Sequence, residues 1–250
     1  MSPGRCHEKA TANILMATSP TLIIALGDNQ YDRGGLRDFS SYFGRTWGQL
    51  KARIRPVPGN HEYETPGASG YFSYFGALAG SSSRGYYSYQ LGTWHILALN
   101  SAIPHNASSP QYAWLKSDLL AHPNLCTLAY WHHPRWSSGE HGNDGSLDAF
   151  WRLLYAHHVD IVLNGHDHDY ERFKRQAPDG TPTMWGIREF VVGTGGMSHY
   201  AFQHVRANSL VRNNDTFGVL RLGLHPTSYS WSFLHEAGKT FTDTGGSFCH

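Results

Sequence analysis

Cysteine is scarce: the 250 residues hold three, Cys6, Cys126 and Cys249. No two form a C-x-x-C pair, which argues against a thiolate zinc site. Cys126 lies in the apolar run 125–131 and reads as a buried core thiol. Cys6 and Cys249, near the two ends, either pair or stay apart, and an odd count leaves the redox compartment open. Charge is thin as well. Charged residues make up 16% of the chain and the formal net charge is +1, so electrostatics give no case for a nucleic-acid or membrane partner. No apolar run approaches membrane-spanning length, and Met1–Ser2–Pro3–Gly4–Arg5 has no signal-peptide h-region. The expectation is a soluble chain without an export signal, its compartment unknown. Repeats, linkers and low-complexity tracts are absent too, so residues 1–250 read as a single domain.

What is abundant is histidine, with 17 residues, alongside 27 glycines and 12 prolines. A hydrophobic fraction of 40% is ample for a continuous core. The pattern predicts a helix over 6–18 with Ala10, Ile14, Leu15 and Ala17 inward, and a buried strand over 21–26. A helix from Leu36 to about Trp47 and a strand over 53–57 follow. An aromatic loop, Tyr71–Phe72–Ser73–Tyr74–Phe75, reads as a lid over the core. Residues 86–91 and 93–99 form a hairpin about Gly92. A helix over 110–121, a strand over 125–131, a helix over 146–158 and strands over 159–163 and 187–192 come next. Residues 216–224, 228–235 and 240–241 suggest a C-terminal antiparallel sheet. Strands alternating with helices, then strands in succession, indicate a layered α/β fold, richer in β toward its end.

Four of the strands end in polar residues. Asp28 and Tyr31 follow the first, Asn60 and His61 the second, His132 the run at 125–131, and His166 and His168 the strand that closes at Asn164. Singly, each is ordinary turn chemistry. Together they mix carboxylate, phenol, amide oxygen and imidazole, a donor set for borderline or hard cations. One zinc needs three or four ligands. Six candidates, Asp28, Tyr31, Asn60, His132, His166 and His168, are enough for two ions with Asp28 bridging. Such a pair clamps the attacking and leaving oxygens of a phosphoryl displacement. His61 adjoins a ligand and is placed as the catalytic acid or phosphate donor. Asn29 and His141 are candidate substrate contacts, His141 equally a solvated loop residue. Glu62 is expected to orient His61, and His133 to support the ligands without being one. Asp167 and Asp169 are read as solvated or supporting, and Arg172 as pairing with a carboxylate.

The ordered set Gly27-Asp28-x-x-Tyr31, Gly59-Asn60-His61-Glu62, His132-x-Pro134 and Gly165-His166-x-His168 resembles the calcineurin-like metallophosphoesterase superfamily. Tyr31, the Tyr170-Glu171-Arg172 extension and the Trp131-His132-His133-Pro134 context resemble its purple-acid-phosphatase-like branch. The resemblance implies a four-layer α/β/β/α sandwich with a dinuclear centre at the strand ends. Tyr31 and His168 would hold the first metal, Asn60, His132 and His166 the second, and Asp28 both. Iron paired with zinc, manganese or iron is the implied cofactor, a metal-bound hydroxide the implied nucleophile, and a small phosphate ester the implied substrate. The activity expected is an acid-phosphatase-like phosphomonoesterase. The alternatives are a phosphodiesterase or nucleotide hydrolase on the same fold, or an impaired metal-binding remnant. One departure stands out. The superfamily's pattern opens with a strand carrying an Asp ligand for the first metal, and here no carboxylate precedes Glu8. Truncation with at least one metal retained is preferred over replacement of the Asp by Glu8 or water, or a second site acting alone.

Overall fold

The computed structural model describes residues 6–81 and 84–250; Met1–Arg5, read above for a leader, lies outside them. In chain order the elements are α1 (Glu8–Thr18), β1 (Ile23–Leu26), α2 (Leu36–Ser41), β2 (Ile54–Val57), α3 (Asn60–Tyr63), α4 (Ser69–Phe75), β3 (Tyr87–Leu91) and β4 (Trp94–Ala98). They continue with α5 (Pro110–Ala121), β5 (Cys126–Tyr130), α6 (Asp148–Ala156), β6 (Ile161–Asn164), β7 (Tyr170–Phe173) and β8 (Arg188–Val192). Then come β9 (Ser209–Asn213), β10 (Gly218–His225), β11 (Ser228–His235) and β12 (Thr244–Phe248).

A mixed seven-stranded sheet in the order β3-β4-β5-β6-β8-β7-β9 forms one inner layer. Its central strands β4, β5, β6 and β8 run parallel. They are buried on both faces, which is why they read as unbroken apolar runs rather than alternating ones. Leu97, Ala129 and Val162 point to α5 and α6, where Leu115, Phe150 and Trp151 meet them. Ile96, Leu128 and Leu163 point the other way, onto Val57 of β2 and Tyr229, Trp231 and Phe233 of β11. The second inner layer is in two pieces, the parallel pair β1-β2 and the antiparallel set β10-β11-β12. Outside β1-β2, Leu15, Phe39, Tyr71 and Phe75 bring α1, α2 and α4 over Ile23 and Ile54. This is the α/β/β/α sandwich.

Several expectations are corrected. Cys126 is buried, but as half of a disulfide with Cys249, 123 residues away. The chain end folds back over β5, so Cys249 meets Cys126 rather than Cys6. In α1 the inward residues are Thr11, Ala12 and Leu15, and Ala17 is exposed. Thr11 turns inward because its hydroxyl donates to the Gly195 carbonyl, a tertiary bond that periodicity cannot show. The helix from Leu36 stops at Ser41 and continues as 3-10 turns. At Gly48 any Cβ would meet the Tyr74 hydroxyl. The aromatic stretch at 71–75 is the helix α4, core rather than lid, with Tyr71, Phe72 and Phe75 buried. β7 and β9 were not foreseen, and the last strand is 244–248 rather than 240–241.

Candidate metal centre

β1, β2, β5 and β6 deliver their following residues to one end of the sandwich, where open α/β sheets keep their sites. The turns are tight. Gly27 has φ +88°, and a Cβ there would meet the His132 ring. Asp28 and His166 themselves adopt φ of 46° and 66°, left-handed conformations that are uncommon off glycine and concentrate at functional sites.

The side chains converge with their acceptor atoms facing one another. His132 Nδ1 lies 2.8 Å from the Leu26 carbonyl oxygen. A carbonyl only accepts, so Nδ1 carries the proton and the neutral ring presents a bare Nε2. That nitrogen sits 3.2 Å from Asp28 Oδ2, 3.1 Å from Asn60 Oδ1 and 3.1 Å from His166 Nδ1. The same logic holds at His168. Its Nδ1 donates to the Ser198 carbonyl at 2.8 Å, leaving Nε2 2.9 Å from the Tyr31 hydroxyl. Tyr31 Oη is in turn 3.2 Å from Asp28 Oδ2. All six residues expected as ligands therefore meet, with Asp28 shared between a Tyr31–His168 half and an Asn60–His132–His166 half. His132, His133 and His166 each bring one ligand atom within 4.8 Å of the others, so His133 is nearer to ligation than the sequence suggested. Its Nδ1 meets Ser101 Oγ at 2.8 Å.

Lone pairs packed this closely need a positive charge between them. A proton is one option. Burial works against an imidazolium at His132, yet the neighbouring Asp28 carboxylate outweighs it and raises the pKa. Burial alone would raise Asp28; the His132 charge reverses this and holds the carboxyl well below its ordinary range. His166 takes the opposite course, pushed down to about 2 by burial and then by His132 and His133. Both effects favour the neutral ring. His168 is lowered too, chiefly by burial. A di- or trivalent cation is the other option, and this set of oxygen and imidazole donors suits one.

Around this core, His61 donates its backbone N–H to Asp28 Oδ1 at 3.0 Å, and its Nδ1 donates to the Asp32 carbonyl at 2.6 Å. That bond leaves Nε2 as the other ring nitrogen. Glu62 does not orient His61. It is fully buried and takes the backbone N–H of Gly59 at 2.7 Å and of Gln30 at 3.1 Å, tying the β1 and β2 loops together. Burial, and then Asp28, raise its pKa to about 7. The Asn29 amide donates to the Val57 carbonyl at 3.0 Å, a third tie between those loops. His141 stands at the rim with its ring 4.1 Å from that of His166. Its Nδ1 lies 2.9 Å from Asp167 Oδ1, and that hydrogen bond raises its pKa. Asp167 and Asp169 are fully buried rather than solvated. Three contributors were missed: Ser101, Ser198 and Tyr200, whose ring stacks on His168 at 4.0 Å and 12°. Tyr200 lies in an irregular stretch after β8 with no local signal to mark it.

The family described as calcineurin-like phosphoesterase matches residues 7–170, more than half of the chain. Purple acid phosphatase 15 of Arabidopsis thaliana is 31% identical over 202 residues, covering 66% of this chain and 38% of that protein. Purple acid phosphatase 23 of the same plant is 32% identical over 204 residues, with 66% and 44% covered. The chain thus spans less than half the length of these relatives. Among solved structures, purple acid phosphatase PPD1 from yellow lupin (Lupinus luteus) seeds superposes with a TM-score of 0.71 at 20% identity. It covers 96% of this chain and 48% of its own, a likeness of fold.

Proposed function

Because the chain belongs to the calcineurin-like phosphoesterase family, we propose that it is a metal-dependent hydrolase of small phosphate monoesters, acid-phosphatase-like. The observation that carries this reading is the meeting of side chains from four strand ends, with Asp28, Asn60 and His166 about His132 Nε2 and the Tyr31 hydroxyl donating to Asp28 Oδ2. Asn60, His132 and His166 would hold one ion, Tyr31 and His168 the other, with Asp28 touching both. Ions held there would supply Lewis acidity toward a phosphoryl oxygen and an attacking water.

The protein's own groups do the rest. His61, fixed through Nδ1–H to the Asp32 carbonyl, directs Nε2 to protonate the leaving alkoxide or to donate to a phosphoryl oxygen. His141 becomes an imidazolium more readily than a free histidine because it is bonded to Asp167. From the rim its charged form would attract the phosphate dianion through a charge-assisted contact, one that persists to higher pH than an ordinary histidine would allow. Glu62 and Asn29 hold the β1 and β2 loops in register, so the ligands are positioned before substrate arrives.

A second reading has its own support. The Tyr31–His168 half gathers three side chains where the other gathers four, Asp28 counted in each. A single ion in the richer half, with impaired turnover, would match that asymmetry. The deciding experiment measures metal content of metal-supplemented protein, together with hydrolysis of p-nitrophenyl phosphate and its bis-ester on the same sample. Two equivalents with a monoester preference at acidic pH is the expected result. One equivalent with little turnover favours the second reading, and a bis-ester preference favours a diesterase. His166→Ala should lose metal and nearly all turnover; unchanged activity would remove the ligand assignment.

A further inference from the structure

A second convergence of metal-ligating groups lies at the other end of the parallel strands, where β5 and β6 begin. Cys126 opens β5, and Asp160 directly precedes β6. Cys249 is bonded to Cys126, and His250 follows it in the chain. Cys126, Asp160 and Cys249 each bring one ligand atom within 4.8 Å of the others. The sequence holds no zinc motif here, because 123 residues separate the two cysteines and only folding makes them neighbours.

The imidazole of His250 completes the set. Its Nε2 lies 2.8 Å from the Trp185 carbonyl oxygen, which only accepts, so Nε2 carries the proton. Nδ1 faces Asp160 Oδ1 at 3.1 Å, with the two side chains 5% and 0% exposed. The contact is close but not aligned as a hydrogen bond, and Nδ1 stays buried without a partner. The carboxylate of Asp160 is held by backbone: Oδ1 accepts the His250 N–H at 3.0 Å and Oδ2 the Thr127 N–H at 2.9 Å. One ring nitrogen anchored on a carbonyl and the other presented is how proteins orient histidine toward a metal.

With the disulfide closed its sulfurs carry no charge, and Asp160 and His250 alone are too few for zinc, which takes four ligands in a structural site. Opening the bridge changes the count. We propose that reduction of the Cys126–Cys249 disulfide creates a structural zinc site, with Cys126 Sγ, Cys249 Sγ, Asp160 Oδ1 and His250 Nδ1 as its four ligands. The step balances with a dithiol reductant. The two cysteines take up two electrons and two protons, the reductant closes its own disulfide, and Zn²⁺ then displaces both thiol protons. Two thiolates, a carboxylate and an imidazole are a zinc donor set. Tetrahedral coordination with Zn–S of about 2.3 Å sets the sulfurs about 3.8 Å apart, a separation that side-chain rotation reaches from Cα atoms 5.3 Å apart. The ion then holds the chain end to β5 where the bridge no longer does.

The test reduces the 250-residue chain with a phosphine in the absence of air and supplies Co²⁺ or Zn²⁺. The oxygen and nitrogen donors about Asp28 cannot produce a sulfur-to-cobalt charge-transfer band. That band therefore reports this site alone, and failure here is distinct from failure of the hydrolase reading. The reduced protein should show the band and gain one equivalent of zinc over the oxidised protein. Zinc should also recover most of the Tm lost on reduction. His250→Ala and Asp160→Asn should each weaken zinc binding to the reduced chain by about tenfold or more, and Cys249→Ser should gain no zinc. Absence of the band on reduction would overturn the proposal. So would an equal band in Cys249→Ser, which would place the thiolate at Cys6. Unchanged affinity in both His250→Ala and Asp160→Asn would leave the thiolates as the only ligands and overturn the four-ligand site. Should reduction unfold the chain, zinc present from the start should keep it folded, and unfolding in spite of zinc overturns the proposal too.

Discussion

At the scale of single residues, the proposed function divides the centre into groups that would hold charge and groups that would move a proton. On that proposal His61 would belong to the second kind, since it touches Asp28 only through its backbone and its ring is anchored on the Asp32 carbonyl. His61→Ala should therefore leave the metal content unchanged while kcat for a phosphate monoester falls by about a hundredfold to ten-thousandfold, the usual worth of a positioned acid. Loss of metal instead would make His61 a ligand. Asp169 poses a different question. It is fully buried and neither carboxylate oxygen meets a protein donor. Burial, then Asp167 and Glu171, raise its pKa well above the ordinary value. Below about pH 4 the folded and unfolded states both hold the proton, and Asp169 costs nothing. As pH rises from there, the unfolded chain ionises while the folded one keeps its proton, so stability is lost until the folded-state pKa is passed. Asp169→Asn should flatten that decline. Urea unfolding at about pH 5 and about pH 8 measures it, and an unchanged slope would show that Asp169 is ionised and compensated. Glu189, raised by its own burial, contributes in the same direction and keeps the slope from vanishing.

At the scale of elements, the parallel strands and their amphipathic partners were legible. α5 spans Pro110–Ala121 as its spacing predicted. Ser109 accepts the Tyr112 N–H at its start and Pro110 stands at the first turn, both readable start signals. β7 was hidden because Tyr170–Phe173 contains Glu171 and Arg172, charges that local patterning assigns to solvent. Glu171 is satisfied by the Ser138 N–H and hydroxyl, and Arg172 by Asp243 through two hydrogen bonds of 2.6 and 3.0 Å. The chain end is held in a comparable way. Cys249 bonds to Cys126 of β5, and its N–H donates to the Thr227 carbonyl at 3.0 Å. A bridge closing a loop of this length, 123 residues, is worth at most about 5 kcal/mol on the loop-closure view. Cys249→Ser should accordingly lower Tm by about 10 °C. Thermal unfolding of both proteins with and without reductant checks this; a reductant should bring the parent close to the variant and leave the variant unmoved.

At the scale of the whole molecule, the centre stitches the layers together, since its proposed ligands follow β1 and β2 of one layer and β5 and β6 of the other. Cation binding should thus stabilise the entire fold. At about a hundred times Kd the gain is about 3 kcal/mol, so a chelator should lower the Tm of the loaded protein by about 8 °C. The same treatment should barely move His166→Ala, and a parent Tm indifferent to chelator would mean that no cation links the layers. What the sequence by itself determined is the chemistry at each strand end. Asp28, Tyr31, Asn60, His132, His166 and His168 follow apolar runs after turn residues, and such local patterns depend on neighbours in the chain. Their convergence, the coupling of His132 to Asp28 and the partner of Cys249 were decided by tertiary structure alone. Each depends on atoms brought together from positions tens to more than a hundred residues apart, and no local pattern encodes which distant group will arrive.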